Sequence, residues 1–268
     1  MSDGLEILLT NDDGIDSVGI RAMYEALSTV AEVTVVAPAD NKSACGRSIS
    51  HEVDVFDHEL GYALAGTPAD CVVAGLAELA TDPDLVVAGC NRGANLGEYV
   101  LGRSGTVSAA VEAAFFDVPA IATSMYLDVD ETPLHDLELT IAAFAEATRV
   151  TTFLVEHAID AGVFDHAGYL NINVPVADGA PATTEITRPS KRYEMDAERN
   201  GDSLVLYDRI WESMDPETIP DPEGTDRRAV AEGRISVSPL TPPHTTNHHE
   251  TLAELVGIYE ETIATTDV

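Results

Sequence analysis

The sequence predicts an α/β fold, a mainly parallel sheet with helices on both faces, from three observations. Up to Pro175, short apolar runs alternate with segments whose apolar residues recur at helical spacing. Acidic and amide side chains gather where the apolar runs end, which is where open α/β sheets bind ligands. Beyond Pro175 the rhythm gives way to a stretch rich in Pro, Asp, Glu and Thr.

The first strand is Ile7–Thr10, followed by a helix with Ile20, Met23, Leu27 and Val30 on one face. Val33–Ala37 is a second strand, closed by Pro38, and residues 39–50 form a polar loop carrying Asn41, Lys42, Ser43 and Arg47. Pro68 stands where a helix begins, with Cys71, Val72, Leu76 and Leu79 as its inward stripe. Leu85–Gly89 is a buried strand that ends at Cys90-Asn91. A glycine-dotted loop then leads to a helix of small residues over Thr106–Phe116. Ala120–Thr123 reads as a strand, Leu137–His157 as a long helix, and Leu170–Val174 as a strand. Strand-like pieces follow at Glu185–Thr187, Ser203–Tyr207 and Arg234–Val237. A last helix carries Leu252, Leu255, Val256, Tyr259 and Ile263 in one stripe, which needs a surface to cover it.

The 268 residues carry 47 acids against 14 basic residues, a formal net charge of −33. Such a charge repels nucleic-acid polymers and anionic membranes, so neither is expected as a partner. The acids are interleaved with apolar periodicity along the chain, the mark of a folded, salt-adapted surface. No apolar run suits a bilayer span and the N-terminus shows no basic-plus-apolar leader, which points to a cytoplasmic protein. Cys45, Cys71 and Cys90 lack metal-site spacing and read as reduced thiols.

Asp12 and Asp13 directly follow the first strand. Adjacent carboxylates repel each other, and a divalent cation such as Mg²⁺, Mn²⁺ or Ca²⁺ is their natural counter-charge. Asp12 and Asp13 could instead serve as turn formers and helix caps. Ser43 and Asn91 also sit just past strand ends, so a parallel sheet would bring all four oxygen donors to one edge. Ser104-Gly105-Thr106 opens a helix whose N–H groups and positive end suit a phosphate. Metal and phosphate cradle together suit metal-assisted phosphoryl hydrolysis.

The order of these motifs resembles the survival protein SurE family of metal-dependent nucleotidases over most of the chain. Leu9-Thr10-Asn11-Asp12-Asp13-Gly14-Ile15, Asn41-Lys42-Ser43 and Gly66-Thr67-Pro68-Ala69-Asp70 carry the resemblance. Gly93-Ala94-Asn95-Leu96-Gly97, Ser104-Gly105-Thr106-Val107 and Gly224-Thr225-Asp226 extend it. The chain departs from the family pattern at Ala88-Gly89-Cys90-Asn91, where Ser-Gly-Ile-Asn is usual, and at Arg103, where Tyr is frequent.

The resemblance implies one divalent metal per subunit, Mg²⁺ or Mn²⁺, held by Asp12, Asp13, Ser43 and Asn91. It implies that Asn95, Ser104, Gly105 and Thr106 hold the phosphate of a nucleoside monophosphate, whose 5′ or 3′ ester a metal-activated water hydrolyses. Asp12 and Asp13 are both candidates to take the proton of that water. The implied fold is a Rossmann-like catalytic core over residues 1–180. Residues 181–268 would supply a hairpin or arm and an exchanged terminal helix, building a homodimer or homotetramer. Two other readings are a nucleotide-binding regulator without hydrolysis and an assembly protein with a structural ion. No G-x-G-x-x-G follows the first strand, which argues against a dinucleotide fold.

The terminal stripe and the net charge together generate a prediction. Molar salt shortens the Debye length to about 3 Å and relieves repulsion between subunits. Light scattering across a salt series should show a dimer or larger oligomer at high salt that loosens on dilution. A folded, active monomer at every salt concentration would refute both the exchanged helix and the salt adaptation.

Overall fold

The computed structural model describes residues 4–80, 82–127, 138–175 and 181–242. Strand β1 (Glu6–Thr10) leads through a tight turn into helix α1 (Val18–Leu27), and β2 (Glu32–Pro38) follows. A hairpin of β3 (Val55–His58) and β4 (Gly61–Leu64) precedes α2 (Pro68–Ala74). Next come β5 (Leu85–Arg92), the single turn α3 (Glu98–Leu101), α4 (Gly105–Phe115), β6 (Ala120–Met125), α5 (Ala145–His157) and β7 (Tyr169–Val174). Beyond Pro175 lie β8 (Thr184–Ile186), β9 (Met195–Asn200), β10 (Ser203–Asp208), α6 (Asp226–Ala231) and β11 (Ile235–Leu240).

Nine strands form one sheet in the order β3-β4-β2-β1-β5-β6-β7-β11-β8, and β9 pairs with β10 in a separate ribbon. Pairing is parallel from β4 through β7, as the βαβ rhythm predicts, with β3 and β11 antiparallel to β4 and β7. Central strands are buried on both faces, which is why their residues run apolar without alternation. Leu9, Val35, Val87, Ile121 and Ile172 face a core shared with Ile20, Met23 and Leu27 of α1 and Val150 of α5. Their neighbours Leu8, Val36, Val86 and Ala122 face the other core, with Cys71 and Val72 of α2 and Val107, Ala110 and Ala113 of α4. The period-2 geometry of each strand thus feeds two helical layers.

The expected helix over Leu137–His157 begins later. Ile141–Phe144 is a 3₁₀ turn that buries Phe144 beside Ile20, and α5 proper starts at Ala145. Leu137 lies outside the described residues, as does the terminal stripe of Leu252, Leu255, Val256, Tyr259 and Ile263. Strand β9 carries no apolar alternation; Met195–Asn200 is mostly exposed and owes its conformation to backbone pairing with β10.

Residues beyond 180 do not all stand apart from the core. Strand β11 inserts beside β7 and β8 joins it, while α6 packs against both β11 and β7. A buried polar network fixes this return. Asp226 accepts from the backbone N–H groups of Gly97 (2.7 Å), Ser190 (2.9 Å) and Arg227 (2.7 Å). The Arg227 guanidinium, 1% exposed, donates to Asp221 at 2.5 Å and to the carbonyl of Ile210 at 2.6 Å. Ser190 donates a further hydrogen bond to Asp221.

Breaking a buried pair strands its surviving charge, which costs about 3–5 kcal/mol. Arg227→Leu should therefore lower unfolding free energy by about that amount in denaturant melts, and Arg227→Leu with Asp221→Leu should recover part of it. Equal stability of wild type and Arg227→Leu would show that the pair contributes nothing to holding the arm.

Candidate active site

The C-terminal ends of β1, β2 and β5 open on a cleft of about 670 Å³, with α4 beginning beside it. Asp12, Asp13, Ser43, Asn91, Asn95 and Ser104 all line it, together with Asn41, Arg92, Tyr99, Arg103, Asp208 and Trp211. Parallel pairing of β1 with both β2 and β5 is what brings groups from three stretches of sequence to one edge.

The turn after β1 sets the first pair. Asn11 Nδ2 donates to the carbonyl of Gly14 at 2.9 Å and to Ser17 Oγ at 2.8 Å. Gly14 has φ +97°, a conformation that favours glycine. Asp12 is only 3% exposed. Its Oδ1 accepts from Thr106 Oγ1 at 2.7 Å and its Oδ2 from Thr106 N at 3.1 Å, so the carboxylate sits on the N-terminus of α4. A Cβ at Gly105 would approach Asp12 Cβ at 2.7 Å, so only glycine allows this contact. Burial pushes the Asp12 carboxyl up to about 6, with the Asp13 charge adding to the rise and the Thr106 hydrogen bonds opposing it. Asp13 is half-buried; its Oδ2 accepts from Arg92 N at 3.0 Å and its Oδ1 from Asn41 Nδ2 at 3.4 Å. Burial raises its carboxyl too, against the opposing influence of Arg92.

Two adjacent carboxylates whose charge burial disfavours are a fit for a divalent cation, which would restore the charged form of both. The remaining donors match. Ser43 is exposed at the cleft, in a loop fixed by the bond from Ser43 N to Asn41 Oδ1 (2.9 Å) and by Lys42 N to the Asp12 carbonyl (2.7 Å). Asn91 spends its amide nitrogen on the Gly93 carbonyl at 2.5 Å, which leaves its side-chain oxygen as the ligand-capable atom. A bulge aims it: Ala88 pairs with Ala122 but Asn91 with Ser124, one extra residue on β5. Among the described residues no three His, Cys, Asp or Glu side chains cluster as a metal set, so any ion here relies on Ser and Asn oxygens as well. Cys71 and Cys90 are buried, and burial raises both thiols well above the usual range. His248 and His249 lie outside the described residues.

Of the four residues expected to hold phosphate, Gly105 is packed against Asp12 outside the cleft lining, and the other three differ in their placement. Ser104 lines the cleft and caps α4, its Oγ accepting from Val107 N at 3.1 Å while its own proton stays available. Thr106 is fully buried and outside the lining, and both its hydroxyl and its N–H donate to Asp12. Asn95 lines the cleft but is knit into a buried amide network. Its Nδ2 donates to Ser124 Oγ at 2.8 Å, its N–H to Asn173 Oδ1 at 2.7 Å, and its carbonyl accepts from Asn171 and Asn173.

Sequence reasoning passed over Tyr99, Asp208 and Trp211. Asp208 ends β10 and Trp211 lies in the 3₁₀ turn that follows, so the ribbon delivers both to a cleft built by residues far upstream. Trp211 is the sole tryptophan of the chain and stands in a polar stretch, which was the one available signal.

A family model described as survival protein SurE matches residues 7–196. The 5′-nucleotidase SurE of Haloarcula marismortui is 64% identical over 95% of this chain and 95% of its own length. That of Haloquadratum walsbyi is 60% identical over 98% of this chain and 100% of its own. The crystal structure of SurE protein from Aquifex aeolicus superposes with a TM-score of 0.73 at 32% identity, covering 90% of this chain and 95% of that one. On the matched residues, the relatives and the fold together, this chain belongs to the survival protein SurE family.

Proposed function

We infer that the chain is a metal-dependent phosphomonoesterase, a 5′- and/or 3′-nucleotidase that hydrolyses nucleoside monophosphates to nucleoside and phosphate. One observation carries the reading: a buried and a half-buried carboxylate, both with raised pKa, converge with Ser43, Asn91 and Ser104 on one cleft, in a chain whose relatives are named 5′-nucleotidases. Asp12, Asp13, Ser43 and Asn91 would hold one divalent cation per subunit, Mg²⁺ or Mn²⁺. When bound, the ion supplies charge neutralisation at phosphate and a water of lowered pKa.

The protein's own residues do the rest. Thr106 and the start of α4 lock the Asp12 carboxylate in place. Asp13 Oδ1, whose hydrogen bond among the described residues is the long contact to Asn41, is the less committed of the two carboxylates and would take the proton of the attacking water. Ser104 Oγ donates to a non-bridging phosphate oxygen, and Arg103 supplies positive charge on the same wall. Its acidic surface suits a cytosol of high ionic strength, where it works as a homodimer or homotetramer. Among the described residues no helix is long and apolar enough to cross a membrane.

Phosphate release from a panel of 5′- and 3′-nucleoside monophosphates tests the reading. Release should stop with a chelator and return with Mn²⁺ or Mg²⁺, and Asp12→Asn should abolish most turnover while keeping the fold. Turnover indifferent to chelation, or wild-type rates in Asp12→Asn, would sink it.

Thr106→Val keeps the volume at the start of α4 but removes the donor to Asp12 Oδ1. Outer partners of ligands typically govern 10–100-fold in metal affinity or activity. The half-saturating metal concentration should rise, with about 1–3 kcal/mol lost in transition-state stabilisation. An unchanged metal titration would reduce Thr106 to a helix residue without influence on the centre.

A further inference from the structure

A second group of residues lining the cleft, apart in sequence from the paired carboxylates, carries chemistry that phosphate hydrolysis leaves unused. Asp208 and Trp211 are three residues apart, and both line the cleft. The Trp211 indole lies nearly parallel to the Tyr126 ring, with centroids 6.4 Å apart and planes 14° from each other, yet 37% of Trp211 stays exposed. One face is therefore backed by an aromatic ring while part of the side chain still meets the cleft. Asp208 Oδ2 accepts from Tyr99 OH at 2.6 Å, but its Oδ1 is buried with no hydrogen-bond partner among the described residues. Tyr99 is itself braced. The Arg103 guanidinium stacks 5.3 Å from its ring centroid and 5.7 Å from that of Tyr193, and the two tyrosines meet edge to face at 5.5 Å.

A buried carboxylate oxygen without a partner costs free energy until a donor reaches it. The missing group must donate, must fit beside an indole, and must belong to a molecule that also reaches the paired carboxylates of the same cleft. An acidic group here also repels phosphate, so a bound ligand would be oriented with its phosphate toward the cation that Asp12 and Asp13 would hold and its neutral end toward Trp211. A flat heteroaromatic ring bearing an N–H donor meets all three demands.

We propose that Trp211 and Asp208 form a nucleobase subsite, in which the indole stacks on the base and Asp208 Oδ1 accepts from an N–H on its edge. The proposal rests on the nucleotidase reading and adds to it the residues that select a nucleotide over a simple phosphate ester. It assigns the β9–β10 ribbon a direct part in substrate choice, through the corner at its end.

Because Trp211 is the sole tryptophan, the intrinsic fluorescence of the unaltered metal-loaded protein reports on this residue alone. Adenosine and guanosine should quench it saturably, whereas ribose 5-phosphate, which lacks the base, should not. Trp211→Leu should lower kcat/KM for nucleoside monophosphates about 10- to 100-fold, the range that base–aromatic stacking supports, and leave ribose 5-phosphate unchanged. Trp211→Phe should restore most of the loss. Asp208→Asn should weaken quenching by guanosine and adenosine more than by purine riboside, which has no exocyclic amine. Equal losses on both substrates would make Trp211 a structural residue and overturn the proposal. So would an indole that stays unquenched while nucleoside monophosphates are hydrolysed; that outcome leaves the nucleotidase reading standing. Quenching by nucleosides without any nucleotide hydrolysis would support the subsite and instead refute the nucleotidase reading.

Discussion

Asp12 is held where water cannot solvate its charge, and most of the site follows from how the fold meets that cost. The carboxylate is nearly fully buried at the end of β1, and the beginning of α4 supplies both an N–H and the Thr106 hydroxyl to it. The contact requires α4 to approach closely, which Gly105 permits because any Cβ would collide with Asp12. The small residues of α4 serve the same end, letting the helix lie tight against β5, β6 and α2. Even so, burial outweighs the hydrogen bonds and leaves the carboxyl raised to about 6, a state that a cation beside Asp12 and Asp13 reverses.

The part of the cleft lined by Asp208 and Trp211 has a different origin. It arrives from the ribbon and its following 3₁₀ turn, and it is held by a buried network in which Asp226 gathers the N–H groups of Gly97 and Ser190 while Arg227 engages Asp221. Gly97 closes the loop that carries Asn95, so the network touches the cleft from two directions. This gives Gly224-Thr225-Asp226 a physical purpose: it ties residues after 180 to the loop after β5. The return of β8 and β11 to the sheet makes the same connection through backbone pairing.

Charge acts on two scales. Across the surface, 33 excess negative charges demand screening and say nothing about chemistry. Inside the cleft the acids stand in different environments: Asp12 and Asp13 adjoin Ser, Thr and Asn side chains, whereas Asp208 adjoins Tyr99 and shares the cleft lining with Trp211.

Legible in the sequence were the βαβ order, the buried strands and the sheet edge where Asp12, Asp13, Ser43 and Asn91 stand, although Asn91, expected past a strand end, lies within β5 and pairs with Ser124. These are local consequences of apolar periodicity and of the rule that parallel strands share a ligand edge. It did not reveal the β3–β4 hairpin, whose strands are short and half exposed, nor β9, which is a strand only because β10 pairs with it. Nor could it separate Ser104 from Thr106: both are hydroxyls at a helix start. Only the approach of β1 turns Thr106 inward to Asp12 and leaves Ser104 lining the cleft. Asp208 and Trp211 were illegible for the same reason. Asp208 meets Tyr99 and Trp211 meets Tyr126 across long stretches of chain, and such pairing is written in the packing of the whole sheet, not in any local pattern.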